Sequence, residues 1–327
     1  MHAMVIGSGG LTAADVPVPQ PDSHQMLVKV RYAALNRADL AMAAGHKHGA
    51  AGGHGAIGGL EWSGEVVEVG DAIAGFKAGD PVMGSGAGAY AEYVLADPAR
   101  CHPIPAFGRE PGYDYAAAAT LPVALQTMHD AIVTNAALQP GESLLVQGAS
   151  SGVGIFALQL AKWLGAALVI GSSTSSARRK KLQAHGADTV IDSRNEDWPE
   201  EVKAATQGHG VDVIIDQVSG YVMNDNMRAA ALCGRIVNVG RLGGMQGNFD
   251  FDLHARKRLR YVGVTFRTRT AEEVRAINDA VRRDLWPALE QRLFDIPVDR
   301  VFSLEDAADA QAYMRANKHF GKVLLAP

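Results

Sequence analysis

The chain has 327 residues, 47% of them hydrophobic, with 36 glycines, a formal net charge of −4 and a pI near 6.3. That is enough chain for two packed domains, and the balance of charge gives nucleic acid or another polyanion no broad electrostatic support. No apolar run approaches the roughly 20 residues of a membrane span, Met1-His2-Ala3-Met4-Val5-Ile6 lacks the parts of a signal peptide, and the two separated cysteines, Cys101 and Cys233, agree with a reducing compartment, so the cytoplasm is the expected location.

In chain order, Glu65-Val66-Val67-Glu68-Val69 alternates like a half-buried strand and closes at Gly70-Asp71. Gly79-Asp80-Pro81-Val82 is a second turn feeding a strand, so the first domain is expected to be all-β and barrel-like. The most informative run follows: Leu144-Leu145-Val146-Gln147, then Gly148-Ala149-Ser150-Ser151-Gly152-Val153-Gly154. An apolar strand, a turn of small residues and a helix start are what hold a dinucleotide pyrophosphate on backbone N–H groups. A helix through Phe156, Leu158, Leu160, Ala161 and Leu164 ends at Gly165, and the apolar strand Ala167 to Ile170 follows, completing strand, helix, strand.

An NAD site carries Asp or Glu at the end of that second strand, roughly 20 residues past the glycines, to accept from the ribose 2′-hydroxyl. Here the place reads Gly171-Ser172-Ser173-Thr174-Ser175, followed by Arg178-Arg179-Lys180-Lys181. Hydroxyls of Ser173 and Thr174 and the guanidinium of Arg178 suit a 2′-phosphate that a carboxylate would repel, so NADP(H) is expected. Lys180 and Lys181 read as the solvated face of the helix. Asp212 to Asp216 and Arg235 to Val239 are short apolar strands that continue a parallel sheet. Open sheets put ligands at the carboxyl ends of strands, which places Gly240 and Arg241 at the site, although Arg241 reads equally well as a surface charge. Thr270-Ala271-Glu272-Glu273 is a capped helix start, with Val274, Ile277, Val281, Leu285 and Leu289 near one face.

The glycine run is also similar to that of short-chain dehydrogenases, but no tyrosine is followed four residues later by lysine. A better match spans nearly the whole chain. Ala34-Leu35-Asn36-Arg37-Ala38-Asp39, Gly59-Leu60-Glu61-Trp62-Ser63-Gly64-Glu65-Val66-Val67-Glu68-Val69-Gly70, Phe76-Lys77-Ala78-Gly79-Asp80-Pro81-Val82, Gly88-Ala89-Tyr90-Ala91-Glu92-Tyr93, Asp212-Val213-Ile214-Ile215-Asp216, Gly234-Arg235-Ile236-Val237 and Gly321-Lys322-Val323-Leu324-Leu325 occur in order. Together they resemble the medium-chain dehydrogenase/reductase superfamily in its zinc-free, zeta-crystallin-like quinone oxidoreductase branch.

The resemblance implies a GroES-like β-rich substrate domain (residues 1–121 and 267–327) and a Rossmann doubly wound cofactor domain (residues 122–266), with cofactor and acceptor meeting between them. It implies that Asn36 faces the nicotinamide ribose and substrate, that Thr127 touches the nicotinamide, that Gly240 and Arg241 lie in the loop holding the carboxamide, and that Phe266 belongs to a cofactor-facing turn. By sequence alone Asn36 serves equally well as a helix cap, and Asp39 reads as a helix-start residue. No metal is expected: no Cys-x-x-Cys is present, and Asn36 and Leu60 stand where zinc relatives carry ligands. His46, His48 and His54 are expected in a mobile flap. Three departures stand out: Ser151 replaces the glycine of closest pyrophosphate approach, Ala41 a frequent tyrosine, and Ser193 another, for which Arg194 could substitute. The expected activity is direct hydride transfer from NADPH to a quinone or similar enone, by a homodimer paired through edge strands. The alternatives are an enoyl-thioester or enone reductase, or a non-enzymatic NADPH-binding protein of crystallin-like or redox-sensor type.

Overall fold

A computed structural model of the chain describes residues 1–327. It divides into two compact units, one formed by Met1–Gln126 with Phe266–Pro327, the other by Thr127–Thr265. Phe266 therefore opens the second segment of the first unit instead of closing the second.

In the second unit, six strands form one sheet in the order Thr189–Ile191, Leu168–Ser172, Ser143–Gln147, Val211–Asp216, Ala230–Asn238, Arg260–Gly263. Every neighbouring pair is parallel. Parallel strands are covered on both faces and so read as continuous apolar runs. All residues of Ser143–Gln147 are buried, and Leu145, Ile170, Ile191, Ile214 and Ile236 share one core with Trp198 and Val202. The helix Gly152–Trp163 ends where Gly165 takes φ 85°, as its glycine stop predicts. Connections leave Ser143–Gln147 toward one side of the sheet and resume at Val211–Asp216 toward the other. This is the doubly wound arrangement, whose ligand crevice lies outside the carboxyl ends of those two strands.

The first unit is β-rich, not all-β. A seven-stranded sheet runs Val298–Ser303, Lys322–Ala326, Met26–Ala34, Glu61–Val69, Pro81–Ser85, Cys101–Pro103, with Tyr93–Ala96 also paired to Met26–Ala34. Its core gathers Met26, Val28, Val30, Trp62, Val66, Val82 and Val94 from alternate strand positions, each worth about 1.5–3 kcal/mol on burial. The unit's helices include Arg37–Ala43 and Tyr115–Ala118 and, from the returning segment, the longer Ala271–Glu290 and Ala307–Arg315. Ala271–Glu290 starts with a full capping box, Thr270 Oγ1 accepting the Glu273 N–H and the Glu273 carboxylate accepting that of Thr270. Its Val274, Ile277, Val281, Leu285 and Leu289 are all buried, as their spacing predicts. Lys47–His48 pairs with Ala51–Gly52 in a small hairpin, so the histidine-rich segment is ordered by backbone pairing.

Candidate functional site

The glycine turn follows Ser143–Gln147. Gly148 has φ 70°, a conformation that favours glycine, and a Cβ at Gly154 would lie 2.7 Å from Ala149 Cα, so the helix could not otherwise close on the turn. Ser151 is the helix N-cap: its Oγ accepts the Gly154 N–H at 3.1 Å and donates toward Gly148 O and Gln217 Oε1. The hydroxyl is thus engaged inside the turn. Gly152 and Val153, the first two helical residues, have N–H groups with no acceptor in the chain. Free amides at a helix N-terminus beside small side chains fit a pyrophosphate.

A buried polar relay holds the turn. Gly148 N–H donates to Ser172 Oγ, Ser172 Oγ to Gln147 Oε1 at 2.6 Å, Gln147 Nε2 to Asn226 Oδ1, and Asn226 Nδ2 to Asp216 Oδ2. Asp216 Oδ1 accepts the Val218 and Ser219 N–H groups, both at 2.8 Å. Burial nevertheless raises the Asp216 carboxyl above its ordinary pKa, against the pull of those donors. Gln217 extends the relay, donating to the carbonyls of Gln147 and Gly148. The loop of Gly240 and Arg241 is tied to the same segment, Val239 and Gly240 N–H both donating to Asp216 O. Ser219, Gly220, Asn238, Arg241, Gly244 and Tyr261 are among the residues lining a depression of about 190 Å³ there. Sequence reading missed Gln147, Ser172, Asp216, Gln217 and Ser219 as a group, since their partners lie up to 79 positions away.

At the end of Leu168–Ser172, the Ser173 hydroxyl lies 3.3 Å from that of Ser150. Arg179 turns back onto Asp192 and Ser173 O, while Arg194 reaches Asp192 and the carbonyl of Thr174. Burial alone would raise the Asp192 pKa, but hydrogen bonds from Arg194 and the charge of Arg179 hold it below the ordinary carboxylate value. Arg178 is partly buried beside them, its guanidinium pKa lowered by desolvation. Three guanidiniums and one carboxylate leave this corner net positive, which suits a 2′-phosphate.

Within the first unit, Asn36 is the N-cap residue of the helix Arg37–Ala43 and forms a capping box with Asp39, while its amide makes its hydrogen bonds elsewhere. Its Nδ2 donates to Glu61 Oε2 at 3.0 Å and Ala34 O at 3.3 Å, and its Oδ1 accepts from Lys322 Nζ at 2.8 Å. Each partner has a single hydrogen-bonding polarity, so the amide orientation is fixed and only an acceptor lone pair of Oδ1 is left for a ligand. Glu61 is 0% and Lys322 2% exposed. The Lys322 ammonium also contacts Glu61 Oε2, while Glu61 Oε1 accepts the Val123 N–H at 2.7 Å. Beneath them Asp39 accepts the Asn36 N–H at 2.6 Å and the Tyr90 hydroxyl at 3.0 Å. Burial pushes Asp39 up to about 7, against those hydrogen bonds.

Zinc does not fit this set. Leu60 offers no donor, an amide is a poor ligand, and the one carboxylate is already neutralised by an ammonium in direct contact. Nowhere in the chain do three His, Cys, Asp or Glu side chains converge, His46, His48 and His54 included. Thr127 is half-buried near the end of the helix Pro122–Met128, just before it widens into a π-helical stretch, His129–Asn135. Phe266 has its ring 5.8 Å from the Arg269 guanidinium, within the first unit.

Two domain families match the chain. Residues 22–106 match the alcohol dehydrogenase GroES-like domain family and residues 152–282 the zinc-binding dehydrogenase family. The chain is 30% identical over 327 residues to a phenolphthiocerol/phthiocerol polyketide synthase of Mycobacterium tuberculosis, covering 96% of this chain but only 14% of the synthase. It is 28% identical to the quinone oxidoreductase of Rattus norvegicus, over 95% of this chain and 92% of that one. An Escherichia coli quinone oxidoreductase solved with NADPH shares the fold, with a TM-score of 0.88 at 22% identity and complete coverage of both chains. Carrying both domains, the chain belongs to the medium-chain dehydrogenase/reductase superfamily. Within the superfamily it is similar to quinone oxidoreductases over nearly its whole length.

Two outcomes follow for the first unit. Lys322→Met alone strands a buried carboxylate and should cost about 3–5 kcal/mol in urea unfolding, while Glu61→Gln with Lys322→Met should recover most of it; equal losses would contradict the pairing. Asp39 goes from 3.8 to about 7 on folding, so the native state holds an extra proton between those values. Its contribution to stability is complete below the lower value and fades as pH rises through the upper one. Asp39→Asn should flatten the decline in unfolding free energy across that window.

Proposed function

We propose that the chain is an NADPH-dependent reductase of quinones or similarly electron-poor enones, working by direct hydride transfer without a metal. Bound NADPH supplies the hydride. The residues proposed to hold it in the second unit are Gly148, Ala149, Ser150, Ser151, Gly152, Val153 and Gly154 for the pyrophosphate, Ser173, Thr174 and Arg178 for the 2′-phosphate, and Gly240 and Arg241 beyond them. The observation that carries the cofactor choice is the net positive corner after Leu168–Ser172, where no carboxylate is free to meet a ribose 2′-hydroxyl.

The acceptor follows from the first unit. With an ammonium in contact with Glu61 and an amide at Asn36, these side chains offer no Lewis acid to ease alkoxide formation, so the acceptor must already be electrophilic. Asn36 presents an acceptor lone pair and no spare N–H, so it can orient a hydroxyl but cannot stabilise a developing oxyanion. Thr127 and Phe266 remain proposed contacts of the nicotinamide end. Likeness to a segment of a polyketide synthase favours, as a second reading, an enoyl-thioester acceptor on the same scaffold. Homodimerisation is also proposed, expected through Val262 to Phe266, of which Val262 and Gly263 lie in the edge strand Arg260–Gly263, whose Tyr261 is 42% exposed.

NADPH absorbance followed against quinones, enones and enoyl thioesters tests the reading. Turnover on the first two classes is expected, turnover on thioesters alone would select the second reading, and tight binding with no turnover would leave a binding protein. Arg178→Ala should weaken NADPH about tenfold or more and leave NADH unchanged, as loss of a charge-assisted hydrogen bond requires; an unchanged preference would remove Arg178. Light scattering at the mass of one chain would refute the dimer.

A further inference from the structure

Ser219 has φ 58° and ψ −155°, a backbone region that is essentially glycine's own. A serine there is strained, and the strain persists only if its surroundings over-determine it. They do so through three contacts. The Ser219 N–H donates to Asp216 Oδ1 at 2.8 Å, its Oγ donates to Gly240 O at 2.7 Å, and Asn238 Nδ2 donates to that same Oγ. The residue is 7% exposed, so most of its surface is covered by these neighbours.

The segment around it joins the two loops of the cofactor half. On one side Gln217 holds the carbonyls of Gln147 and Gly148 and accepts from Ser151 Oγ. On the other, Leu242 N–H donates to Gln217 O and Gly243 N–H to Val218 O at 2.7 Å. Gly220 follows at φ 55°, where any Cβ would strike Gly243 O. The loop after Ala230–Asn238 is therefore strapped to residues 216–220 by backbone bonds, and the Ser219 hydroxyl is the one side chain that reaches its first carbonyl. Glycine would remove the strain and also that contact. Keeping serine at a glycine position has a rationale only if the position of Gly240 matters.

We propose that Ser219 is a positioning residue for cofactor binding, its hydroxyl fixing the Gly240 carbonyl and hence the loop of residues 240–244 relative to the glycine turn. This rests on the reading that the second unit binds NADPH. Two variants separate hydroxyl from strain. Ser219→Gly loses the hydroxyl and relieves the backbone, so its thermal midpoint should be at or above that of Ser219→Ala, which loses the hydroxyl and keeps the strain.

In both variants, without cofactor, hydrogen exchange at the Leu242 and Gly243 amides should quicken, with Ser143–Gln147 as protected as in the wild type. The NADPH dissociation constant, from protein fluorescence, should rise about tenfold in both, the equivalent of one lost hydrogen bond. Wild-type exchange at Leu242 and Gly243 in Ser219→Gly overturns the proposal. So does an affinity loss confined to Ser219→Ala, because binding would then merely track stability. A wild-type protein that binds no NADPH would defeat the functional reading, and the exchange data would still decide whether Ser219 fixes the loop.

Discussion

A carboxylate with no access to water sets the terms for the first unit. Glu61 must be compensated where it is buried, and the chain does this with the ammonium of Lys322, 261 positions later. One oxygen of Glu61 meets the lysine and the Asn36 amide, the other the Val123 N–H near the start of Pro122–Met128. The pair thereby ties the C-terminal strand, the start of that helix and the Asn36 side chain together. It also fixes the polarity of the site: the ammonium takes one oxygen of Glu61 and donates to the Asn36 amide oxygen.

The second unit answers a different constraint, the need to leave backbone amides unpaired at the carboxyl ends of adjacent strands. An unpaired buried N–H is costly, so everything around the turn is satisfied instead. Ser172, Gln147, Asn226 and Asp216 form a closed relay beneath it, and Ser151 takes the Gly154 amide. What remains free is a pair of amides on Gly152 and Val153, facing the place where a phosphate would arrive. A fully connected polar network of this kind rigidifies the loops it touches, which suits a site that must hold a long, flexible ligand in one pose.

Local chemistry was legible in the residues and remote partnership was not. Turn, helix and strand around Gly148 could be read because small residues, a glycine stop and an apolar run act within a few positions, and the Thr270 cap because its partner is three residues on. The doubly wound sheet followed from those runs. Asn36 reads equally as cap or ligand-facing amide because only its cap partner Asp39 is local, while Glu61 and Lys322, which claim its amide, come from distant strands. Arg179 sits in a basic run that reads uniformly, yet Asp192 claims it. Nothing about a serine at position 219 announces a left-handed backbone; only the packing of Gly240 and Gly243 against its segment imposes that. The first domain was expected to be all-β because its motifs are strand motifs, while its helices are either short, like Arg37–Ala43, or come from the segment that returns to it after residue 265.

The central claim, the proposed hydride transfer from NADPH without a metal, is tested most directly by assaying quinone reduction after exhaustive dialysis against a strong chelator, with metal content measured on the same sample. The account predicts an undiminished rate and no stoichiometric zinc. A rate abolished by the chelator and restored by zinc would contradict it.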